Sequence, residues 1–404
     1  MSTSLLYHGF GIRGYRYVRT EYVDGEVVFR IEQDLSTCRC SACGSAHVAP
    51  RGQVERPFRS LPIGGKPVTV RLAIPRVACQ DCGVIRQTPI AFADPRRTYT
   101  KAFERYALEL SQYMTIQDVA HHLGISWDVI KDMQKRHLQR RFAKPKLKHL
   151  RQIAIDEISI AKGHRYVTIV LDLDSGAVVH VGDGKGGDAL KPFWKRLRCS
   201  GAKIEAVAMD MSPAYIDAVV RHLPKATVVF DRFHVMKLYN DKLSNLRREL
   251  YQEASQKMHK EVLKGTRWLL LKRPEHLDDT RNERARLEEA LRLNQPLATA
   301  YYMKEDLAEV WEQDDEEQAT AWLLDWVRRA ESSGIRMLKN FAKTIRAHAL
   351  QILAYYDYPI STGPLEGTNN KIKTMKRQAY GFRDQEFFKL KILGIHESKY
   401  ALVG

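Results

Sequence analysis

RQIAIDEISI at residues 151–160, KIEAVAMDM at 203–211 and KATVVFDRFHV at 225–235 share one habit: a short β-branched run that stops on an aspartate. The three carboxylates are Asp156, Asp210 and Asp231. A buried strand that ends on a charge sets that charge at the rim of a sheet, where water and a metal ion can reach it. One such strand is ordinary. Three of them between residues 151 and 235 describe a site assembled from strand ends. With RYVTIVLDLDSGAVVHVGDG at 165–184 between them, the pattern predicts strands near 152–158, 165–173, 177–182, 204–209 and 226–231, and helices near 188–198 and 213–222. A three-strand meander followed by helix, strand, helix, strand gives a mixed sheet with helices on its faces. That is the order of an RNase H-like fold, in which the first and fourth strands are neighbours and Asp156 lies beside Asp210.

Downstream, residues 235–357 show apolar spacing of helical period almost throughout. Trp322 and Trp326, four apart on one face, are expected in the core. Trp268, beside Arg267, is expected there too, with stacking on a base as the alternative. The chain then closes with STGPLEGTNNKIKTMKRQAYGFRDQEFFKLKIL. Pro364 can open a helix, which puts Glu366 in its first turn. A glutamate there ordinarily serves the helix dipole. Lys371, Lys373, Lys376 and Arg377 follow as a strongly basic stretch suited to a polyanion.

Upstream of the sheet lies a basic run. Lys131, Lys135, Arg136, Arg140, Arg141, Lys144, Lys146, Lys148 and Arg151 stand against the single acid Asp132. Pro145 breaks the helix within it. The run is a solvated linker on the plainest reading and a phosphate-tracking one on the sharper reading, which we adopt. It grows out of TIQDVAHHLGISWDVIKDMQKRHL (115–138), which has the form of a helix-turn-helix. One helix runs from about Ile116 to Leu123, Gly124 makes the turn, and Ser126 caps the second helix. Trp127, Asp128, Lys131 and Lys135 are then placed to meet a major groove, with Arg140 and Arg141 behind them.

The first hundred residues read as β structure, with an Asp24–Gly25 hairpin turn. Cys40-x2-Cys43 and Cys79-x2-Cys82 are two knuckles, each aiming two thiolates at one ion. Together they make a closed, structural Zn²⁺ site. Cys38 could replace Cys40 as a ligand, His47 could be a ligand but is expected at the surface, and Cys199 is expected to be buried.

The 404 residues carry 44% hydrophobic and 28% charged side chains and a formal net charge of +17. The size suits two or three domains, and the charge suits a polyanion. No apolar run approaches the roughly 18 residues of a bilayer span, and the N-terminus lacks a secretory core, so a cytoplasmic protein with no membrane partner is expected. The domains expected are a zinc module (1–97), a helix-turn-helix (98–142), a basic linker (143–150), the first part of the RNase H-like core (151–234), a helical region (235–357) and the returning core segment (358–404).

Phosphodiester cleavage needs an activated oxygen nucleophile and a stabilised leaving oxygen, and two carboxylate-held divalent ions can serve both. The set of IAIDEIS (153–159), AMDMSPAY (208–215), VFDRFHVMK (229–237) and GPLEGTNNKIKTMKRQAYGFRD (363–384), with the knuckles and the helix-turn-helix, resembles bacterial insertion-sequence transposases of the ISL-three family. The resemblance covers nearly the whole chain. It implies a DDE transposase that uses Mg²⁺ or Mn²⁺ to cut element ends and join the freed 3′-hydroxyl to target DNA. It also implies that residues 235–357 are an insertion before the helix of the third acid, and that the protein works as a homodimer at the nucleoid. Asp156 then matches the first acid and Glu366 the third. Asp210 is favoured as the second, with Asp231 its rival and His234 in support. The competing readings are a zinc-containing DNA-binding regulator without catalysis, and a nuclease or resolvase that only hydrolyses.

Overall fold

The computed structural model describes residues 4–161, 165–254 and 262–396. The chain divides into two compact units: residues 1–143 with 374–391 and 398–404, and residues 144–373 with 392–397.

The first unit begins with a short helix α1 (Leu5–Phe10), where the sequence had suggested only β structure. Leu6 and Phe10 are its buried side chains, so its apolar residues fill the core beneath the sheet. The sheet follows as β1 (Tyr15–Val23), β2 (Glu26–Gln33), β3 (Val48–Ile63), β4 (Lys66–Cys79) and β5 (Ile85–Gln87). Asp24 and Gly25 both take positive φ between β1 and β2, as a tight hairpin turn requires. The sheet order is β1-β2-β4-β3, with β5 on β4. In β4, Val68, Val70, Leu72 and Ile74 alternate inward and are fully buried. They pack in one core with Phe10, Phe29, Phe58 and Phe92.

Three helices come next: α2 (Lys101–Leu110), α3 (Ile116–Leu123) and α4 (Trp127–Phe142). Each has its N-cap: Thr100 accepts from the Phe103 N–H, Thr115 from Asp118 and Ser126 from Asp128. Gly124 sits in the left-handed region at the end of α3 and turns the chain into α4. Phe103, Ala107, Val119, Ala120, Leu123, Ile130 and Met133 form the shared core. Arg59 of β3 donates to the Leu123 carbonyl at 3.0 Å, tying the turn to the sheet.

The second unit holds a sheet of β6 (Gln152–Ala161), β7 (Arg165–Asp172), β8 (Val178–Asp183), β9 (Ala206–Met209) and β10 (Thr227–Phe230), in the order β10-β9-β6-β7-β8. β6, β7 and β8 are antiparallel, while β9 and β10 run parallel to β6 and to each other. This is the RNase H-like arrangement. All four residues of β9 are buried, as befits a parallel strand covered on both faces. Helices α5 (Lys191–Ser200) and α6 (Pro213–His222) contribute Phe193, Trp194, Tyr215 and Val219 to the core.

From α7 (Arg232–Glu253) to Leu353 the described secondary structure is helical; residues 255–261, part of the expected helical run, lie outside the described residues. Tyr239, Trp326 and Phe341 meet edge-to-face at its centre. Trp326 is buried and donates to the Met303 carbonyl. Trp322 is not in the core: it is 36% exposed, because its indole N–H reaches the Asp306 carbonyl at the surface. Trp268 is not in the core either, at 65% exposed, with the Arg267 guanidinium lying over its ring. Cys199, expected buried, is exposed near the end of α5, on the face opposite Phe193 and Leu197.

Candidate active site and its accessory centres

Asp210 and Asp231 follow the last residues of β9 and β10, so both stand at strand ends. Asp156 does not: β6 continues past it to Ala161. It is a rim residue for another reason. The β6–β9 pairing ends at Ile155↔Met209, so beyond that pair β6 has no partner on its β9 side. Asp156 and Asp210 are the next residues in register, on strands spaced about 4.8 Å apart.

The Asp156 carboxylate accepts from the Glu157 N–H at 2.7 Å and from Asn369 Nδ2 at 2.8 Å. Burial pushes this carboxyl above the ordinary range, and Asp210 adds to that push. The Glu157 N–H, His234 and Asn369 pull against it. Asp210 accepts from the Ser212 N–H at 3.0 Å. It lines a cavity of about 280 Å³ with Ser212, His234, Lys237 and Asp241.

Glu366 lies in the first turn of the helix Gly363–Gln378, exposed, its N–H bonded to the Thr362 carbonyl. Asn369 is three residues on, hence on the same helix face. The residue that touches Asp156 therefore brings the Glu366 face to the same rim. The oxygens of Asp156, Asp210 and Glu366 are nonetheless not drawn within 4.8 Å of one another.

Asp231 is 4% exposed, and its carboxylate accepts from the Thr362 hydroxyl. That bond joins the end of β10 to the residue preceding the Glu366 helix. Glu157, the next residue of β6, does not join the rim. Alternation along β6 turns it to the opposite face, where the Tyr215 hydroxyl donates to it at 3.2 Å. Asp172, at the end of β7, accepts from the Asp174 N–H in the turn that follows.

Sequence reasoning quoted Asn369 without a role, although its spacing from Glu366 was a usable signal. Its Nδ2 is committed to Asp156, while Oδ1 is buried without a protein partner. A buried acceptor left so is worth about 1–3 kcal/mol to whatever satisfies it, such as a water or a hydrated ion. Thr362 carried no sequence signal at all.

The cysteines form a second centre. Cys40, Cys43, Cys79 and Cys82 place all four sulfurs within 4.8 Å of one another. Cys40–Cys82 is 3.7 Å and Cys43–Cys79 is 3.5 Å. A tetrahedron of Zn–S bonds near 2.3 Å has edges of about 3.8 Å, so the four fit one ion. The two knuckles repeat one geometry: Gly44 N–H returns to Cys40 O and Gly83 N–H to Cys79 O, both glycines at positive φ. N–H groups of Cys43 and Ala42 pull the Cys40 thiol down to about 6. Cys38 is outside the cluster, buried and bonded to the Asp34 carbonyl. His47 is exposed and pairs with Asp81.

The third centre is the helix-turn-helix. Trp127, the first residue of α4, is 47% exposed. Lys131 and Lys135 both reach Asp384 at 3.2 Å, and Lys135 also reaches Glu386 at 2.6 Å. Some 250 residues separate these partners, so no local pattern announces them. Arg140 pairs with Glu104 at 3.5 Å, and the Arg141 guanidinium lies over Phe142. Lys371, Lys373 and Arg377 are exposed and Lys376 half-buried, with Lys371 beside His396.

A zinc-ribbon cluster, a helix-turn-helix and an RNase H-like core with paired rim aspartates define a DNA-binding protein of the transposase class. Residues 36–82 match the zinc-finger of transposases IS204/IS1001/IS1096/IS1165, residues 87–138 the helix-turn-helix domain of transposase family ISL3, and residues 153–392 the ISL3 transposase domain. The chain is 32% identical over 392 residues to the transposase for insertion sequence element IS1001 of Bordetella parapertussis, covering 95% of each. It is 30% identical to the transposase for IS1557 of Mycobacterium tuberculosis, over 86% of this chain and 83% of that one. A Drosophila P element transposase strand transfer complex is similar with a TM-score of 0.42 at 10% identity, over 76% of this chain and 94% of that one. The protein belongs to the ISL3 family of insertion-sequence transposases. Among the described residues no helix is long and apolar enough to cross a membrane.

Proposed function

We propose that this transposase cuts and joins DNA at the ends of its element with Asp156, Asp210 and Glu366 as the acids. The observation that carries the reading is the Asn369–Asp156 bond, which brings the face of Glu366 to the rim where Asp156 and Asp210 are in register. Those three carboxylates would hold Mg²⁺ or Mn²⁺, and such ions supply charge for an activated oxygen and a leaving oxygen at the scissile phosphate. Mg²⁺ takes one or two carboxylates and completes its sphere with water and substrate phosphates, so the acids need not crowd together in advance. Asn369 holds Asp156 in place and offers Oδ1 to the site. Asp231 is spent on Thr362, which favours Asp210 as second acid. Lys371, Lys373, Lys376 and Arg377 continue along the Glu366 helix and suit the strand's phosphates.

The domain division we adopt is the zinc module to residue 97, the helix-turn-helix to 142, a basic linker to 150, and a core of 151–234 and 358–404 interrupted by helices at 235–357. Zn²⁺ in the cysteine cluster holds the first module, α4 reads the inverted repeats through Trp127, Lys131 and Lys135, and Arg140 and Arg141 contact the backbone. Two copies would pair the two ends.

The test is a nicking and joining assay on duplex carrying the element's end, with Mg²⁺ or Mn²⁺. Asp156→Asn and Glu366→Gln abolish nicking while binding persists, and Asp231→Asn retains it. Full-rate nicking by Asp156→Asn would falsify the assignment, and loss in Asp231→Asn with retention in Asp210→Asn would move the second acid. Joined products separate a transposase from a hydrolysing nuclease. Light scattering of the DNA complex reads the copy number.

A further inference from the structure

Tyr380 closes the Glu366 helix with φ +50°, and its side chain is fully exposed. Bulky residues rarely adopt that left-handed conformation, which glycine takes freely. A helix end of this kind, with the Gly381 N–H returning to Lys376 O, ordinarily has glycine at the strained position. Here the chain keeps an aromatic there and gains no burial from it. A strained backbone holding out a bare ring points to a ligand.

The ring stands on a cleft of about 820 Å³ within the first unit, lined by Trp127, Lys131, Tyr380, Phe382, Arg383 and Phe387 among others. That volume is in the range of small-ligand sites, about 300–1,000 Å³. Trp127 opens α4 and is half-exposed, so a second ring borders the same space. The floor is fixed: Phe382 stacks on Phe388 with centroids 4.7 Å apart. Asp384 also borders the cleft, but Lys131 and Lys135 neutralise it. Arg383 is exposed and carries a cation beside the rings.

We propose that this cleft binds an unpaired nucleotide of the transposon-end DNA, its base stacked on Tyr380 and Trp127 and its phosphate met by Arg383. Rings bordering a cleft can stack only on a base that has left the duplex, because paired bases hide their faces. Arg383 favours nucleic acid over an apolar peptide, and the position at the start of the recognition helix supplies the DNA. The proposal rests on the helix-turn-helix meeting DNA, and it is independent of the acids.

The test uses the full chain without divalent metal, so the acids play no part. The probes are duplexes of the element's end, blunt or with a short unpaired tail containing 2-aminopurine. The tail should tighten binding roughly tenfold, the worth of one stacked base, and 2-aminopurine fluorescence should be quenched on binding. Tyr380→Ala should erase the gain and restore the fluorescence while blunt duplex binds as before. Tyr380→Gly, which relieves the backbone strain, guards against a folding defect and should behave the same. Equal affinity for blunt and tailed probes, unquenched fluorescence, or a Tyr380→Gly protein that keeps the gain would overturn the proposal.

Discussion

The cysteine cluster and the acid rim, which we propose as a site for divalent ions, are built in opposite ways. The four thiols come from two copies of one turn, and their sulfurs already lie within one ion's reach. The acids come from two neighbouring strands and a helix some 150 residues further on, and their oxygens stay farther apart. A closed thiolate site couples metal binding to folding. An open carboxylate site leaves places for water and phosphate. The contrast teaches where each region's stability comes from. The two knuckles rest on what their thiolates would bind, although the β3–β4 sheet beside them has its own core, whereas the RNase H-like sheet stands on buried β6, β9 and helical packing and carries its acids as a burden.

The sharpest way to break that contrast is to remove one ligand from each side. Cys79→Ser should abolish zinc binding and loosen the two knuckles while the β3–β4 core persists, since a closed thiolate site couples metal binding to local folding. Metal content and limited proteolysis across 36–82 check it. Knuckles that stay protease-resistant under a chelator would erase the distinction. Asp156→Asn should act in the other direction on stability. Activity falls by about 10³-fold or more, as removal of a group acting at the reacting phosphate does. Yet the metal-free protein gains about 0.5–2 kcal/mol, the usual exchange of function for stability.

The pH dependence sharpens this. The folded Asp156 carboxyl titrates above its unfolded value because it is buried. Its ionisation therefore carries no penalty below the ordinary carboxylate range, and the full penalty once pH has passed the raised value. Wild-type stability should fall relative to Asp156→Asn across that window, read by thermal melts at stepped pH. Divalent-ion binding should weaken as pH drops through the same window. A variant that tracks wild type at every pH would show the carboxyl unstrained.

Smaller effects probe the links around the rim. Thr362→Val leaves the buried Asp231 carboxylate without its hydroxyl donor and should destabilise by about 1–3 kcal/mol in urea melts. Asn369→Ala should slow nicking about tenfold with little change in DNA affinity, through a freer Asp156. The least effect is expected from Glu386→Gln, which releases Lys135 from a surface pair. Duplex affinity should rise about twofold to threefold, in line with the small worth of exposed ion pairs, with a steeper salt dependence.

Much of this was legible in the chain. The knuckles were, because two thiolates at C-x2-C spacing serve a turn whose geometry is local. The turn of the helix-turn-helix was also, since Gly124 and Ser126 mark a stop and a start that propensity alone dictates. The order of strands gave the neighbours of β6. Three things were hidden. Asp156 looked like a strand end, but its place at the rim comes from the shortness of β9, a property of another segment. The partners of Lys131 and Lys135 lie at the far end of the chain, beyond any periodicity. Trp322 and Trp268 read as core because helical spacing marks a face without saying how deep it sits.

The bond between Asp231 and Thr362 has a consequence for how the family can vary. The chain departs from the sheet at one residue and comes back at the other, so that bond frames the doorway of the helical tier, which packs on β10 as well through Phe230 and His348. Lengthening or trimming the tier away from that packing is close to a change of loop size, at about 0.6 kcal/mol per doubling. The doorway itself tolerates far less, because the helix bearing Glu366 is hung on its frame.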